Sequence, residues 1–207
     1  MKKILFLRPA IYLDLIPGMD LISSFDLNGL QLNDPLLDTN TEKTIKRVKN
    51  LKKNFKIKYI LSSPVSRCVQ TAKLFDLPIK ILPELKEIKF SVANFVTPEN
   101  KDFNVNLLRE NVVKSIVEDK NEEKVNDVIA RIDSFFKKLK KIPNGSVCIS
   151  HAFVMKFFEI LFLNDMKIEN ANIFIKNYDW KIKPYDFLEG FCVSLDKNGR
   201  VLNVEKV

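Results

Sequence analysis

The chain has 207 residues, a net charge of +8 and a hydrophobic content of 46%. A chain of this length suits one domain with a continuous core, so we predict a single domain over residues 1–207. The positive charge comes mostly from lysines spread along predicted helices, which is typical of a solvated surface and argues against nucleic-acid binding.

From the sequence we expect neither a signal peptide nor a membrane-spanning segment. The first apolar run begins at Ile4 and ends at Leu7, whereas the core of a secretory signal needs roughly 7 to 15 apolar residues. No stretch has the apolar length that a membrane helix requires. The cysteines, Cys68, Cys148 and Cys192, are far apart and lie in apolar elements, which is typical of reduced core thiols. Reduced thiols predict a cytoplasmic protein. Because the chain has a single histidine, we expect no bound metal, and we also expect no cofactor.

The first predicted element is a strand over residues 4–7, which ends at Arg8 and Pro9. Its continuous apolar run is typical of a strand that is buried on both faces of a parallel sheet. Ligands of open α/β sheets bind at the carboxyl ends of such strands, so Arg8 stands where an anion would be held. The irregular connection that follows, residues 11–38, has the length of a functional loop.

Strands and helices alternate along the rest of the chain. We predict helices over about 41–55, 64–75, 123–140 and 152–163, and strands over 57–61, 79–82, 146–150, 190–195 and 201–206. Ser63 is the predicted N-cap of the second helix. Residues 94–121 are predicted as a lid with a short helix near 104–117, and the tail from about 168 as two or three strands. This order predicts a three-layer α/β/α sandwich around a mostly parallel sheet.

Three polar residues follow apolar strands, either directly or within the next helical turn: Arg8, Arg67 and His151. Each alone has an ordinary structural interpretation, as an ion-pair partner or a satisfied polar residue. Because the ends of parallel strands meet at one edge, we expect the three to converge and to bind a phosphate group through forked hydrogen bonds. Glu87 is then the candidate to exchange a proton with a leaving oxygen.

The stretch SSPVSRCVQTA, residues 62–72, resembles the second signature of the histidine phosphatase superfamily, whose fold is that of phosphoglycerate mutase. The resemblance implies that Arg67 holds the phosphate. Further segments resemble that family in order and position, from about residue 3 to 165: LPELKEIKF, EEKVNDVIARIDSFF and VCISHAFVMKFF. They imply that Glu87 is the proton donor and that His151 is the second histidine.

The departure from this family lies at the first strand. The first signature of the family is Arg, His, Gly, whereas this chain has Arg8, Pro9 and Ala10. The resemblance implies that the missing histidine is the nucleophile that takes up the phosphoryl group. Proline has a tertiary amide nitrogen without an available lone pair, so phosphohistidine cannot form at Pro9.

Two routes to residual chemistry remain open. Tyr12, Asp14 or Cys68 could replace the nucleophile, or water could attack with Glu87 or His151 as the base.

The favoured prediction is a pseudoenzyme that binds phosphate or a small phosphorylated ligand but has lost the covalent mechanism. One alternative is a slow or altered phosphomonoester hydrolase that depends on His151 and Glu87, so enzymatic activity stays an open question at this point. A second alternative is a non-catalytic interaction module, whose sign would be a pocket beside Pro9 filled by residues 11–33.

Overall fold

A computed structural model describes residues 1–10, 42–89, 105–180 and 185–207. Its centre is a mixed six-stranded sheet with the strand order β3-β2-β4-β1-β5-β6. The strands are β1 (Lys2–Leu7), β2 (Tyr59–Ser62), β3 (Ile79–Ile81), β4 (Ser146–Ile149), β5 (Gly190–Leu195) and β6 (Val201–Lys206). The first four in this order pair in parallel, and β5 and β6 add an antiparallel edge.

The first strand is buried on both faces, as its apolar run predicted. Ile4 and Phe6 point into one hydrophobic cluster, and Leu5 and Leu7 point into the other. Each of these four side chains is at most 2% exposed. Helices therefore cover both faces of the sheet, which confirms the three-layer α/β/α sandwich.

The described residues contain six α-helices, which lie around the sheet. They are α1 (Glu42–Asn54), α2 (Ser66–Lys73), α3 (Val105–Val117), α4 (Val125–Lys138), α5 (Ala152–Leu163) and α6 (Ala171–Asn177). The bounds of α5 are those predicted, and α1 and α4 lie within a few residues of theirs. The helix expected near 104–117 is α3; whether residues 94–121 act as a lid stays a prediction, since 94–104 lie outside the described residues.

Aromatic packing joins β1 to the helices on one face. Phe6 stacks on Phe191 of β5, with 4.7 Å between the ring centroids, and meets Phe158 of α5 at 5.2 Å and Phe135 of α4 at 5.8 Å. Burial of one such ring contributes about 1.5–3 kcal/mol to folding. This cluster fixes the position of β1 relative to α5. The residues at the ends of the two elements therefore lie at defined distances from one another.

Two predicted elements differ in the structure. The second helix begins at Ser66 and its N-cap is Val65, so Ser63 is not the cap. The reason is that Ser63 still belongs to the sheet region, where its N–H donates to the Ile149 carbonyl. The described part of the tail contains two strands, in line with the two or three predicted, but residues 171–177 form α6, which was not predicted; its Ala171 and Ile175 are buried one turn apart.

All three cysteines are buried, as predicted for core thiols, and none of them is in a disulfide. No helix within the described ranges is both long and apolar enough to span a membrane. In the same part of the chain, no three metal-binding side chains cluster together.

Candidate functional site

The centre of the candidate site is a contact between Arg67 and His151. His151 lies two residues after the end of β4 and is the N-cap residue of α5, with an extended backbone. Arg67 is the second residue of α2, which follows β2. The Arg67 Nη2 atom lies 2.8 Å from His151 Nδ1, and the two residues are 8% and 2% exposed. The structure thus brings together two residues that lie 84 positions apart.

This contact defines the tautomer of the histidine. A guanidinium can only donate hydrogen bonds, so Nδ1 must accept and the ring proton of neutral His151 must be on Nε2. The Nε2 atom lies 2.9 Å from Ser63 Oγ and 3.3 Å from Cys68 Sγ. His151 is therefore a donor through Nε2, and its other nitrogen is used by Arg67.

The electrostatic surroundings keep His151 uncharged. Burial lowers its pKa well below the ordinary value of a histidine, and the positive charges of Arg67, Arg131 and Arg8 lower that pKa further. All three positive charges disfavour a further positive charge on the ring, so they act in the same direction as burial.

Arg8 lies at the end of β1, as predicted, and a C-terminal segment encloses it. Its Nη1 donates to the Tyr185 carbonyl at 2.8 Å, and its guanidinium carbon lies 4.4 Å from the centre of the Phe187 ring. The backbone N–H of Arg8 donates to the Glu189 carbonyl at 2.9 Å. Residues 185–189 therefore fix the direction in which the half-buried Arg8 side chain extends.

Pro9 and Ala10 are buried between this segment and α2. The N–H of Ala10 donates to Thr71 Oγ1 at 3.0 Å, and the same hydroxyl donates to the Arg67 carbonyl at 2.8 Å. Leu188 donates its N–H to the carbonyls of Arg8 and Pro9, at 3.2 and 3.4 Å. The turn at Pro9 is thus tied to the helix that carries Arg67.

Glu87 lies at the N-terminus of α5. Its carboxyl oxygens accept from the backbone N–H groups of Val154 at 3.0 Å and Phe153 at 3.3 Å, and also from that of Ile88. Burial raises the pKa of the Glu87 carboxyl and outweighs the opposite effects of these hydrogen bonds and of Arg67. The N-terminus of α5, where a helix favours a negative charge, is therefore occupied by a side chain of the protein itself.

The structure adds a buried polar group that the sequence analysis did not single out. Lys156 and Glu159 form an ion pair on α5, and the Tyr185 hydroxyl lies 3.5 Å from Lys156 Nζ. Burial, and then Glu159, raises the pKa of Tyr185, so its hydroxyl stays protonated. The signal available in the sequence was the presence of two charges in the otherwise apolar helix AFVMKFFEILFL.

Several predicted alternatives are not tested by these contacts. Tyr12 and Asp14, and the filling of a pocket by residues 11–33, lie outside the described residues. Cys68 is fully buried on the inner face of α2.

Comparison with protein families identifies the class. The chain matches the sequence model of the histidine phosphatase superfamily, branch 1, over residues 29–183. This is more than half of its length, and the chain belongs to that superfamily. The match begins after Arg8 and Pro9. No curated protein matches the chain significantly in sequence.

Solved structures of phosphatases share the fold at low sequence identity. The mycobacterial glucosyl-3-phosphoglycerate phosphatase, in complex with inorganic phosphate, is 12% identical, with a TM-score of 0.61 over 99% of this chain and 96% of that chain. The α-ribazole phosphatase of Shigella flexneri is 17% identical, with a TM-score of 0.57 over 98% and 95%. The phosphoserine phosphatase of Entamoeba histolytica, in complex with 3-phosphoglyceric acid, is also 17% identical, with a TM-score of 0.57 over 100% and 98%.

Proposed function

We propose that this chain is a degenerate histidine phosphatase that binds phosphate or a small phosphorylated ligand and does not form a phosphohistidine. The observation that carries the proposal is the buried Arg67–His151 contact, with Arg8 close enough to lower the pKa of the same ring. In this proposal Arg8, Arg67 and His151 bind the phosphate, and Pro9 occupies the position of the nucleophile.

The charges and donors of the site support anion binding. A guanidinium only donates hydrogen bonds, and its forked N–H groups match the oxygens of a phosphate. The Nε2–H of His151 points to Ser63 Oγ at 2.9 Å, so it would bind the anion only in exchange for that hydrogen bond. A phosphate group has several acceptor oxygens and a negative charge, which are the properties that arginine side chains recognise.

The same geometry argues against covalent chemistry. Nucleophilic attack by an imidazole requires a nitrogen with an available lone pair. Nδ1 of His151 already accepts from Arg67, and Nε2 has the proton. Pro9 has no imidazole, so neither position offers a nitrogen that could attack phosphorus.

Thermal unfolding in the presence of phosphate or vanadate tests this proposal. At an anion concentration of about ten times Kd, binding stabilises the native state by about 1.4 kcal/mol, which raises the Tm of a chain of this size by about 3–6 °C. We expect this rise in the natural chain and its loss in Arg67→Ala.

The matched control is Arg200→Ala, which removes an exposed arginine from the turn between β5 and β6 and should keep the full rise in Tm. Absence of any rise in the natural chain at millimolar anion would overturn the proposal. An equal rise in Arg67→Ala would place the bound anion elsewhere.

A second candidate function is slow hydrolysis of phosphomonoesters, and the raised pKa of Glu87 favours it. A protonated carboxyl could give its proton to the leaving oxygen while water attacks phosphorus and the ester P–O bond breaks. The attacking water then gives its proton to the resulting Glu87 carboxylate or to solvent. Steady hydrolysis of p-nitrophenyl phosphate that disappears in His151→Ala and in Glu87→Gln would support this function. Activity that both variants retain would come from a contaminant.

A further inference from the structure

The segment that carries Glu87 has little regular structure of its own. After a short 3-10 turn at Pro83–Leu85, residues 86–89 form neither helix nor strand. Backbone carbonyls in such a segment need partners from elsewhere in the protein. Their partners therefore determine where the Glu87 side chain is held.

Arg131 of α4 supplies two of these partners. Its Nη1 donates to the carbonyl of Glu84 at 2.9 Å and to the carbonyl of Lys86 at 2.6 Å. The carbonyl between them, that of Leu85, accepts from Ser150 Oγ at 2.8 Å. Three consecutive carbonyls directly before Glu87 are thus bound by side chains from α4 and from the end of β4.

Glu123 holds both Arg131 and the far side of the same segment. Arg131 donates through Nε to Glu123 Oε1 at 3.0 Å and through Nη2 to Oε2 at 3.1 Å. Oε2 also accepts from the N–H of Lys89 at 3.0 Å, and the N–H of Glu123 donates to the Lys89 carbonyl at 3.2 Å. The backbone is therefore fixed both before and after Glu87.

The strength of this arrangement comes from charge and partial burial. The side chains of Arg131 and Glu123 are each only 16% exposed. Forked bonds between a guanidinium and a carboxylate are about twice as strong as neutral hydrogen bonds, and they restrict the orientation of both groups. Lysine at position 131 would keep the charge but lose the fork.

From these contacts we infer that Arg131 and Glu123 form a clamp that positions the Glu87 carboxyl over the first N–H groups of α5, beside Arg67 and His151. Arg131 is a positioning residue, since it acts through the backbone of residues 84–89. The inference depends on the proposed function only in treating Glu87 as a residue of the site, and its test needs no ligand.

The test is a carboxyl titration of the full chain labelled with ¹³C-glutamate and followed by NMR, with the Glu87 resonance assigned from Glu87→Gln. If Arg131→Met releases the clamp, the carboxyl becomes solvated and its pKa falls by about one unit toward that of an exposed glutamate. Loss of the arginine charge alone would raise the pKa of a nearby carboxyl, so the two effects have opposite signs.

Two further variants complete the test. Arg131→Lys keeps the positive charge, so a fall in the Glu87 pKa of this variant would be due to the loss of the forked hydrogen bonds alone. If Arg131→Met does not fold, Arg131→Lys takes its place in the test. Leu139→Ala weakens the core at the other end of α4, where the Leu139 carbonyl accepts from Lys2, and should leave the Glu87 pKa unchanged. An unchanged or raised pKa in the Arg131 variants would overturn the inference, as would an equal fall in Leu139→Ala.

Discussion

Arg67 donates to Nδ1 of His151 across 2.8 Å in a region where both side chains are almost fully buried. The histidine is thereby held neutral and in one orientation. Burial of the ring and the neighbouring guanidinium both disfavour its protonation.

The first prediction concerns the pH dependence of stability. The pKa of His151 is lowered in the folded state, whereas in the unfolded chain it has its ordinary value of about 6.5. Below about pH 6.5 the unfolded state binds a proton at this histidine and the folded state does not. The free energy of unfolding therefore falls by up to about 1.4 kcal/mol per pH unit, until the pH reaches the folded-state pKa.

Urea unfolding between pH 7.5 and pH 5.5 measures this effect. Because His151 is the only histidine in the chain, the difference between the natural chain and His151→Gln isolates its contribution. We expect the natural chain to lose stability relative to the variant as the pH falls. A constant difference over this range would mean that His151 is not held neutral.

The second prediction concerns backbone strain next to Arg8 and Pro9. Leu188 has a φ of +55°, a conformation that costs an L-residue about 1–2 kcal/mol and costs glycine nothing. Its side chain is buried, so replacement by alanine or glycine loses similar packing. We expect Leu188→Gly to be more stable than Leu188→Ala by about 1 kcal/mol in urea unfolding. Equal stability of the two variants would show that the turn relaxes without strain.

The third prediction compares two glycines. A Cβ at Gly190 would lie 1.8 Å from the carbonyl oxygen of Phe6, whereas one at Gly199 would meet only the end of Lys140 at 3.9 Å. Gly190→Ala must displace β5 from β1 and should cost more than about 3 kcal/mol, since two backbones cannot approach so closely.

Gly199→Ala is the control for this prediction, because its φ of +87° costs about 1 kcal/mol without a clash. Circular dichroism during thermal unfolding compares the two variants. A Gly190→Ala variant that is as stable as Gly199→Ala would contradict the close approach of β5 to β1.

Much of the fold follows from patterns along the chain. The apolar run of β1 and the helical spacing of α5 are local signals, and both elements have nearly the predicted bounds. The proximity of Arg67 to His151 was also predictable, because the ends of parallel strands share one edge of the sheet. Local periodicity and the topology of a parallel sheet are sufficient for these features.

Other parts of the site could not be predicted in this way. The contact between Arg8 and the Tyr185 carbonyl joins residues 177 positions apart, and Tyr185 lies in an irregular segment without periodicity. The bonds from α5 to Glu87 depend on how a loop is held by Arg131, which no local pattern specifies. These contacts depend on which backbone groups of the irregular segments pair with which side chains. Such pairing between distant parts of the chain is determined by the tertiary structure.

The last prediction concerns Pro9 itself. If Pro9 occupies the position of the nucleophile, Pro9→His supplies an imidazole next to Arg8, at the edge that Arg67 and His151 share. We expect this variant to hydrolyse p-nitrophenyl phosphate faster than the natural chain, through a phosphorylated histidine. A P–N bond forms as the ester P–O bond breaks, and water then cleaves the P–N bond.

Phosphorus NMR of the acid-quenched and the neutral protein distinguishes this intermediate, since phosphohistidine is lost in acid. Pro9→Ala is the matched control, because it removes the ring of proline without adding a nucleophile. The gain should disappear when Arg67→Ala is combined with Pro9→His. If Pro9→His folds and binds vanadate but neither hydrolyses the ester nor becomes phosphorylated, position 9 does not face the bound anion in line, and the assignment of Pro9 to the nucleophile position is wrong.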